Sequence, residues 1–172
     1  KNDGVNMIKF TQTDGLPDNH INGITIDNKG VIWCATNNGV ARYNGFVWTS
    51  FSETDGLANN SVNAVAVDKS DNILFGTNNG ISIYNGDNWN TLTTENTLPS
   101  NIVNSIVFDV SGKAWIATNN GVAVFDGKNI LTYTTSNGLI NDVANSLFVD
   151  SHGNIWVSTE AGASMYNGSV WK

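Results

Sequence analysis

Arginine is almost missing from this sequence. Arg42 is the only one, Lys and Arg together number 8 of 172 residues, and 15 Asp and Glu leave a net charge of −7. Gripping a phosphate backbone takes clustered Lys and Arg, so the composition argues against nucleic acid as a partner. Cysteine is reduced to Cys34, which rules out an intramolecular disulfide. Only two histidines occur, His20 and His152, on loops predicted at opposite ends of strands, and a shared metal site is not expected. Glycines fall in predicted hairpins rather than in a phosphate-cradling loop, so no nucleotide or other cofactor is expected. No apolar run approaches the roughly 20 residues of a membrane helix, and this segment is not expected to insert into a membrane. Nothing at Lys1 reads as a signal peptide, which leaves a cytosolic protein or one whose leader was removed. What remains is 40% apolar with six Trp, enough for a packed core.

The dominant feature is repetition. Gly39, Gly80, Gly121 and Gly162 stand 41 residues apart, as do Trp33, Leu74, Trp115 and Trp156, and Leu16, Leu57, Leu98 and Leu139. A self-similar period near forty residues signals a solenoid, a propeller or an array. Within a unit, short apolar bursts alternate with Gly, Asn and Asp, which is strand spacing. Residues 62–67 are apolar on both faces and read as the innermost strand. Turns of the type Asp68-Lys69-Ser70-Asp71 lead to a second strand, because an Asp side chain bonds backbone two residues on. Asn44-Gly45, Asn85-Gly86, Asp126-Gly127 and Asn167-Gly168 mark two-residue hairpins between the third and fourth strands. The unit is therefore a four-stranded antiparallel meander with large apolar residues on both faces. One such sheet cannot cover itself, so neighbouring units must stack face to face, and stacked radially they make an all-β propeller of four 41-residue blades.

The blades are expected at 14–54, 55–95, 96–136 and 137–172. Residues 1–13 correspond to the outer strand of a unit, since Asp3-Gly4 aligns with Asn44-Gly45 and Phe10 with Phe51. Three arrangements follow: a small closed four-bladed ring, a half-ring pairing with a second copy into eight blades, and a partial ring belonging to a longer array. The second and third are preferred, because four blades are few for such a repeat.

The string Asp55-Gly56-Leu57, Asn60, Val62, Val65, Asp68, Asn72-Ile73-Leu74-Phe75-Gly76-Thr77, Asn79-Gly80-Ile81 and Tyr84-Asn85-Gly86 resembles the two-component regulator propeller repeat. The resemblance covers essentially the whole chain in four copies. It implies a periplasmic or extracellular sensor module, often one of two seven-bladed propellers in hybrid histidine kinases that detect glycans or other small ligands, or a secreted protein. A carbohydrate or other small ligand is then the expected partner, with signal transduction the context. Self-association through exposed blade faces is the rival reading.

A residue found at one place in every blade serves the fold first. The series Asn22, Asn63, Asn104 and Asn145 is read as capping loop backbone rather than as a channel-mouth ligand site. The Trp series is read as filler between blades rather than as sugar platforms. Cys34, equivalent to Phe75, Ile116 and Val157, is read as a small buried hydrophobe. Departures from the repeat are the better functional candidates. Arg42 replaces Ile83, Val124 and Met165; it must reach solvent, a partner or an open end of the stack. Glu160-Ala161 replaces the pairs Asn37-Asn38, Asn78-Asn79 and Asn119-Asn120, and His20 replaces Ser61, Ile102 and Val143. His20, Arg42, Asn37, Asn38 and Glu160 are thus the expected ligand-facing set, with no catalytic residues. The pair His20 and Glu160 is the one combination that could imitate a propeller lyase, and enzymatic activity is not expected.

Overall fold

The computed structural model describes residues 7–172. Residues 1–6 of the expected N-terminal outer strand, Asp3-Gly4 among them, lie outside the described residues. The chain forms four antiparallel sheets in sequence order. Blade 1 holds β1 (Ile21–Ile26), β2 (Ile32–Thr36), β3 (Gly39–Tyr43) and β4 (Trp48–Phe51). Blade 2 holds β5 (Val62–Val67), β6 (Ile73–Thr77), β7 (Gly80–Tyr84) and β8 (Trp89–Leu92). Blade 3 holds β9 (Val103–Phe108), β10 (Ala114–Thr118), β11 (Gly121–Phe125) and β12 (Ile130–Tyr133). Blade 4 holds β13 (Ala144–Val149), β14 (Ile155–Thr159) and β15 (Gly162–Tyr166), whose outer edge is closed by a single bridge between Tyr166 and Trp171.

Each turn forms for the local reason its residues supply. In the β1–β2 and equivalent hairpins, Asp27, Asp68 and Asp150 accept the N–H of Lys29, Ser70 and His152, two residues on, at 3.0, 2.7 and 2.9 Å. Between strands three and four, Asn44 accepts from the N–H of Phe46 and Val47 at 3.0 Å each. At the start of β7, Gly80 has φ +97° and packs so tightly that a Cβ would strike the carbonyl oxygen of Leu92. Only glycine accepts that position without strain.

One element escaped the sequence reading. A 3₁₀ turn precedes each joining loop, at Gln12–Asp14, Glu53–Asp55, Thr94–Asn96 and Thr135–Asn137. Each is held by a reciprocal cap in which the side chain of Asp14, Asp55, Asn96 or Asn137 reaches back to the capping Thr or Ser. The visible signal was a Ser/Thr followed three residues later by Asp or Asn.

Neighbouring blades lean broadside on one another, with β1, β5, β9 and β13 packed in sequence at the inner edge. Between blades 1 and 2 the core gathers Trp33, Ala35 and Val40 with Val62, Ile73, Phe75 and Tyr84. Between blades 2 and 3 it gathers Leu74 and Ile81 with Val103, Ile106 and Ile116, and between blades 3 and 4 Trp115, Val122 and Val124 with Leu147, Ile155 and Val157. Leu57, Leu98 and Leu139 anchor the joining loops in these layers, and Leu16 is buried against Cys34 and Ala41 on blade 1. Fully burying a side chain the size of Phe75 contributes about 1.5–3 kcal/mol.

The last blade does not return to the first. Ile24 and Ile26 on β1 are 65% and 62% exposed, and Phe148 on β13 and Trp156 on β14 are 64% and 42% exposed. The small closed ring is therefore not the arrangement adopted: the four blades form an open arc. Phe10 lies against Tyr43 and Trp48, with ring centroids at 5.2 and 5.5 Å. That is the place Phe51 takes against Tyr84 and Trp89 on the next blade.

Candidate functional site

The arc has two rims. The β2–β3 turns and the joining loops lie at one end of the strands, and the β1–β2 and β3–β4 hairpins at the other, as the meander order requires.

On the loop rim, the Asn series sits at an irregularity in each inner strand. The pairing skips from Ile21 to Gly23, from Val62 to Ala64 and from Ala144 to Ser146, so the Asn between is the bulged residue. A bulge re-aims a side chain out of the alternating pattern. Asn22, Asn63 and Asn104 each donate to the carbonyl of Val62, Val103 and Ala144 in the next blade at 2.8, 2.9 and 2.8 Å. The same amides donate to Asn37, Asn78 and Asn119 of their own blade at 2.8, 2.9 and 2.8 Å. These residues hold blade to blade rather than simply capping a loop. Asn145 has no such partner among the described residues, and the residue facing it by repeat position is Glu160.

The expected ligand-facing residues divide between the rims. His20 is exposed immediately before β1, its backbone N–H donating to Asp18 Oδ1 at 2.6 Å. Asn37 is engaged by Asn22, and Asn38 donates its backbone N–H to Thr36 Oγ1 at 3.1 Å while its side chain is exposed. In the equivalent place, Asn120 is tied to the Pro99 carbonyl at 3.2 Å. Glu160 is exposed on the β14–β15 turn. These four share the loop rim, with His20, Asn37 and Asn38 on blade 1 and Glu160 at the far end of the arc.

Arg42 does not join them. It lies toward the hairpin rim, half-buried between blades 1 and 2, its guanidinium carbon 5.9 Å from the ring centres of both Trp33 and Phe51. Cation–π stacking accounts for a charge in an otherwise apolar slot. His20 and Glu160 sit on the first and last blades, so no lyase-like pair is assembled. Cys34 is buried, and that burial pushes its thiol up to about 11.

The hairpin rim carries a constellation that the sequence reading did not extract. Trp33, Trp115 and Trp156 donate their indole N–H to Asp27, Asp109 and Asp150 at 3.1, 3.0 and 3.0 Å. Spacing was the available signal, each Trp following its turn Asp by six residues. In two of these pairs, those of Asp109 and Asp150, the hydrogen bonds favour the ionised carboxylate. Partial burial pushes Asp109 up, but hydrogen bonds from Ser111, Trp115 and the Lys113 and Ser111 backbone outweigh it and leave the group below its ordinary value. Asp150 is brought far down by Trp156 first and then by Asn154. Asp126 is lowered by the backbone N–H of Asn129 and Lys128. Tyr133 is pushed up to about 12 by burial and by Tyr166, whose hydroxyl lies 3.3 Å away. Among the described residues, no group of three or more His, Cys, Asp or Glu is placed to hold a metal ion.

The model of the two component regulator propeller family matches residues 15–38, 56–79, 97–120 and 138–161, which together exceed half of the chain. The chain belongs to the two component regulator propeller family. Each match runs from the joining loop through the inner strand, the β1–β2 hairpin and the second strand to the β2–β3 turn. Among solved structures, the chain is similar to the extracellular domain of BT3049, described as belonging to a hybrid two component system, from B. thetaiotaomicron. Identity is 25%, the TM-score 0.80, and the match covers 94% of this chain and 23% of the other. The extracellular domain of a second B. thetaiotaomicron system, BT4673, matches at 25% identity and TM-score 0.74, over 93% of this chain and 23% of the other. Virginiamycin B lyase from Staphylococcus aureus matches at 18% identity and TM-score 0.67, over 87% of this chain and 53% of the other, which is likeness of fold alone. Among curated proteins, none matches this sequence. The chain spans about a quarter of the length of the sensor domains it resembles. No helix among the described residues is long and apolar enough to cross a membrane.

Proposed function

We propose that this chain is a non-enzymatic propeller module of a periplasmic or extracellular sensor, or of a secreted protein, that binds a carbohydrate or another small ligand through its loop rim. The observation that carries the reading is the four-repeat family match combined with 25% identity and a TM-score of 0.80 to an extracellular sensor domain. His20 and Asn38 offer exposed side chains on blade 1, and Glu160 offers a carboxylate on blade 4. Titration with neutral oligosaccharides and short peptides, followed by calorimetry, tests the proposal. Binding that weakens about tenfold in His20→Ala or Asn38→Ala, a loss typical of one hydrogen bond to a buried ligand group, supports it. Turnover of a glycan would overturn the non-enzymatic part, and binding indifferent to both substitutions would overturn the site.

A second reading is favoured by the exposed end faces. Ile21 on blade 1 and Trp156 on blade 4 are exposed at positions that interior blades bury, and Ile24, Ile26 and Phe148 are exposed at positions that interior blades cover at least in part, so both end faces are apolar. Head-to-tail association of two copies would cover them and give eight blades. Light scattering that returns twice 18.5 kDa supports this reading, and a strictly monomeric mass at high concentration removes it.

A further inference from the structure

Each junction between blades opens a wedge at the hairpin rim, bounded by the same repeat positions each time, yet the three wedges differ in size. The volume is about 90 Å³ between blades 1 and 2, about 240 Å³ between blades 3 and 4, and about 440 Å³ between blades 2 and 3. The side chains account for the order. In the first, the Trp33 indole and the Arg42 guanidinium fill the space. In the third, Trp115 and Tyr133 stack at 5.8 Å, nearly parallel. In the second, the same two slots hold Leu74 and Leu92, and the outer strand of the following blade carries Ile130 where the other two junctions place Trp89 and Trp171. Three aromatic positions have turned aliphatic at one junction. The resulting volume lies within the few hundred Å³ typical of small-molecule pockets.

The chemistry of the lining is also particular. Leu74, Leu92, Phe108 and Phe125 give an apolar interior, and Asp68 and Asp126 stand at the mouth. Where Asp27 and Asp109 receive a Trp indole N–H, Asp68 faces Leu74, which has none to give. Its Oδ2 instead accepts from Asn72 Nδ2 at 2.6 Å, while Oδ1 takes the N–H of Ser70 and Asn72 at 2.7 and 2.8 Å. A carboxylate has about four acceptor positions, so capacity remains for one more donor.

We propose that the cleft between blades 2 and 3 is a binding site for a flat aromatic molecule carrying an N–H or O–H donor, neutral or cationic, seated where Trp33 and Trp115 sit in the neighbouring junctions and donating to Asp68. Asp68 and Asp126 outnumber the one ammonium beside Gly112 at this cleft, that of Lys69, which is held on the Val110 carbonyl at 2.9 Å, and so disfavour anions of the same shape. The site lies on the rim opposite His20, Asn38 and Glu160, so it stands or falls separately from the loop-rim reading.

The test uses indole and tryptamine as probes, titrated into the 172-residue protein and followed by calorimetry and by amide chemical shifts. Expected are dissociation constants on the order of 0.1–1 mM, in keeping with the size of the probes. Shifts should cluster at Leu74, Phe108 and Phe125. Indole-3-acetate, an anion, and 1-methylindole, which lacks the donor, should bind about tenfold more weakly or worse. Leu74→Trp restores the residue the repeat uses beside this Asp, and should abolish probe binding while raising Tm by a few degrees. Asp68→Asn should weaken tryptamine more than 1-methylindole. No binding of indole or tryptamine at several millimolar overturns the site. So do shifts that cluster elsewhere, or binding that survives Leu74→Trp. Equal affinity for indole and 1-methylindole overturns the role of Asp68. Because the shift map is read on the unsubstituted protein, the proposal remains falsifiable even if a variant fails to fold.

Discussion

Trp33 and Trp156 occupy one slot of the repeat and make one hydrogen bond, to Asp27 and Asp150 at 3.1 and 3.0 Å. Yet Trp33 is 3% exposed and Trp156 is 42% exposed. The blade to which each belongs is the same kind of sheet; what differs is whether another blade packs on it among the described residues. Trp33 is covered by Phe75 and Tyr84 of blade 2, with centroids at 5.8 and 5.7 Å, whereas Trp156 faces outward. The difference teaches that much of the repeat's core lies between sheets rather than within them, and that burial at this slot is conferred by the neighbouring copy.

The strongest way to break that comparison is to truncate both residues. Trp33→Ala removes a buried indole and should cost about 3–5 kcal/mol, whereas Trp156→Ala should cost about 1 kcal/mol or less. Denaturant unfolding of the two variants measures the gap. If the two losses are equal, the blade 4 face is covered in solution, which would transfer the argument to head-to-tail association.

The same dependence on the following blade explains how much of this molecule the sequence disclosed. The four-stranded meander was legible because its determinants are local: Asn44-Gly45 and its equivalents carry their own turn, and the Asp of each first hairpin bonds backbone two residues away. The stacking was legible because a sheet with Trp on one face and Phe or Ile on the other cannot stand alone. The bulge at Asn63 was not, since a bulge is defined by pairing between strands and its acceptor on Val103 lies 40 residues on. Arg42 breaks the repeat pattern and on that ground joins the expected ligand-facing set, but its position on β3 places it toward the hairpin rim against Trp33 and Phe51. The wedge between blades 2 and 3 was invisible for a related reason. It lies between Leu74 and Leu92 on one blade and Phe108 and Phe125 on the next, and no single unit shows it.

The interblade amides give a second, smaller contrast. Asn63 donates to the Val103 carbonyl and to Asn78, while Asn145 has neither partner among the described residues. Asn63→Ala removes both the interblade bond to the Val103 carbonyl and the bond to Asn78 and should cost about 1–3 kcal/mol, against less than about 0.5 kcal/mol for Asn145→Ala. Thermal unfolding of both checks this, and equal shifts in Tm would mean that Asn145 also finds a carbonyl in solution.

The smallest effect concerns pH. Asp109 lies at an interior junction, where its carboxylate receives Trp115 Nε1–H at 3.0 Å and the Ser111 hydroxyl at 2.6 Å, and these bonds hold its folded pKa below the ordinary value despite partial burial. A group depressed in the folded state binds protons more readily when unfolded, so its contribution is fully present above the unfolded pKa near 3.9 and is lost as pH falls through the folded value. Stability measured by urea unfolding should therefore be flat in this group's contribution at pH 5–7 and decline on acidification below about pH 4. Asp109→Asn should flatten that decline, because the amide can still accept the indole N–H but cannot be neutralised. An unchanged acid limb in Asp109→Asn would show that the Asp–Trp pair, although repeated in three blades, does not contribute its charge to holding an interior junction closed.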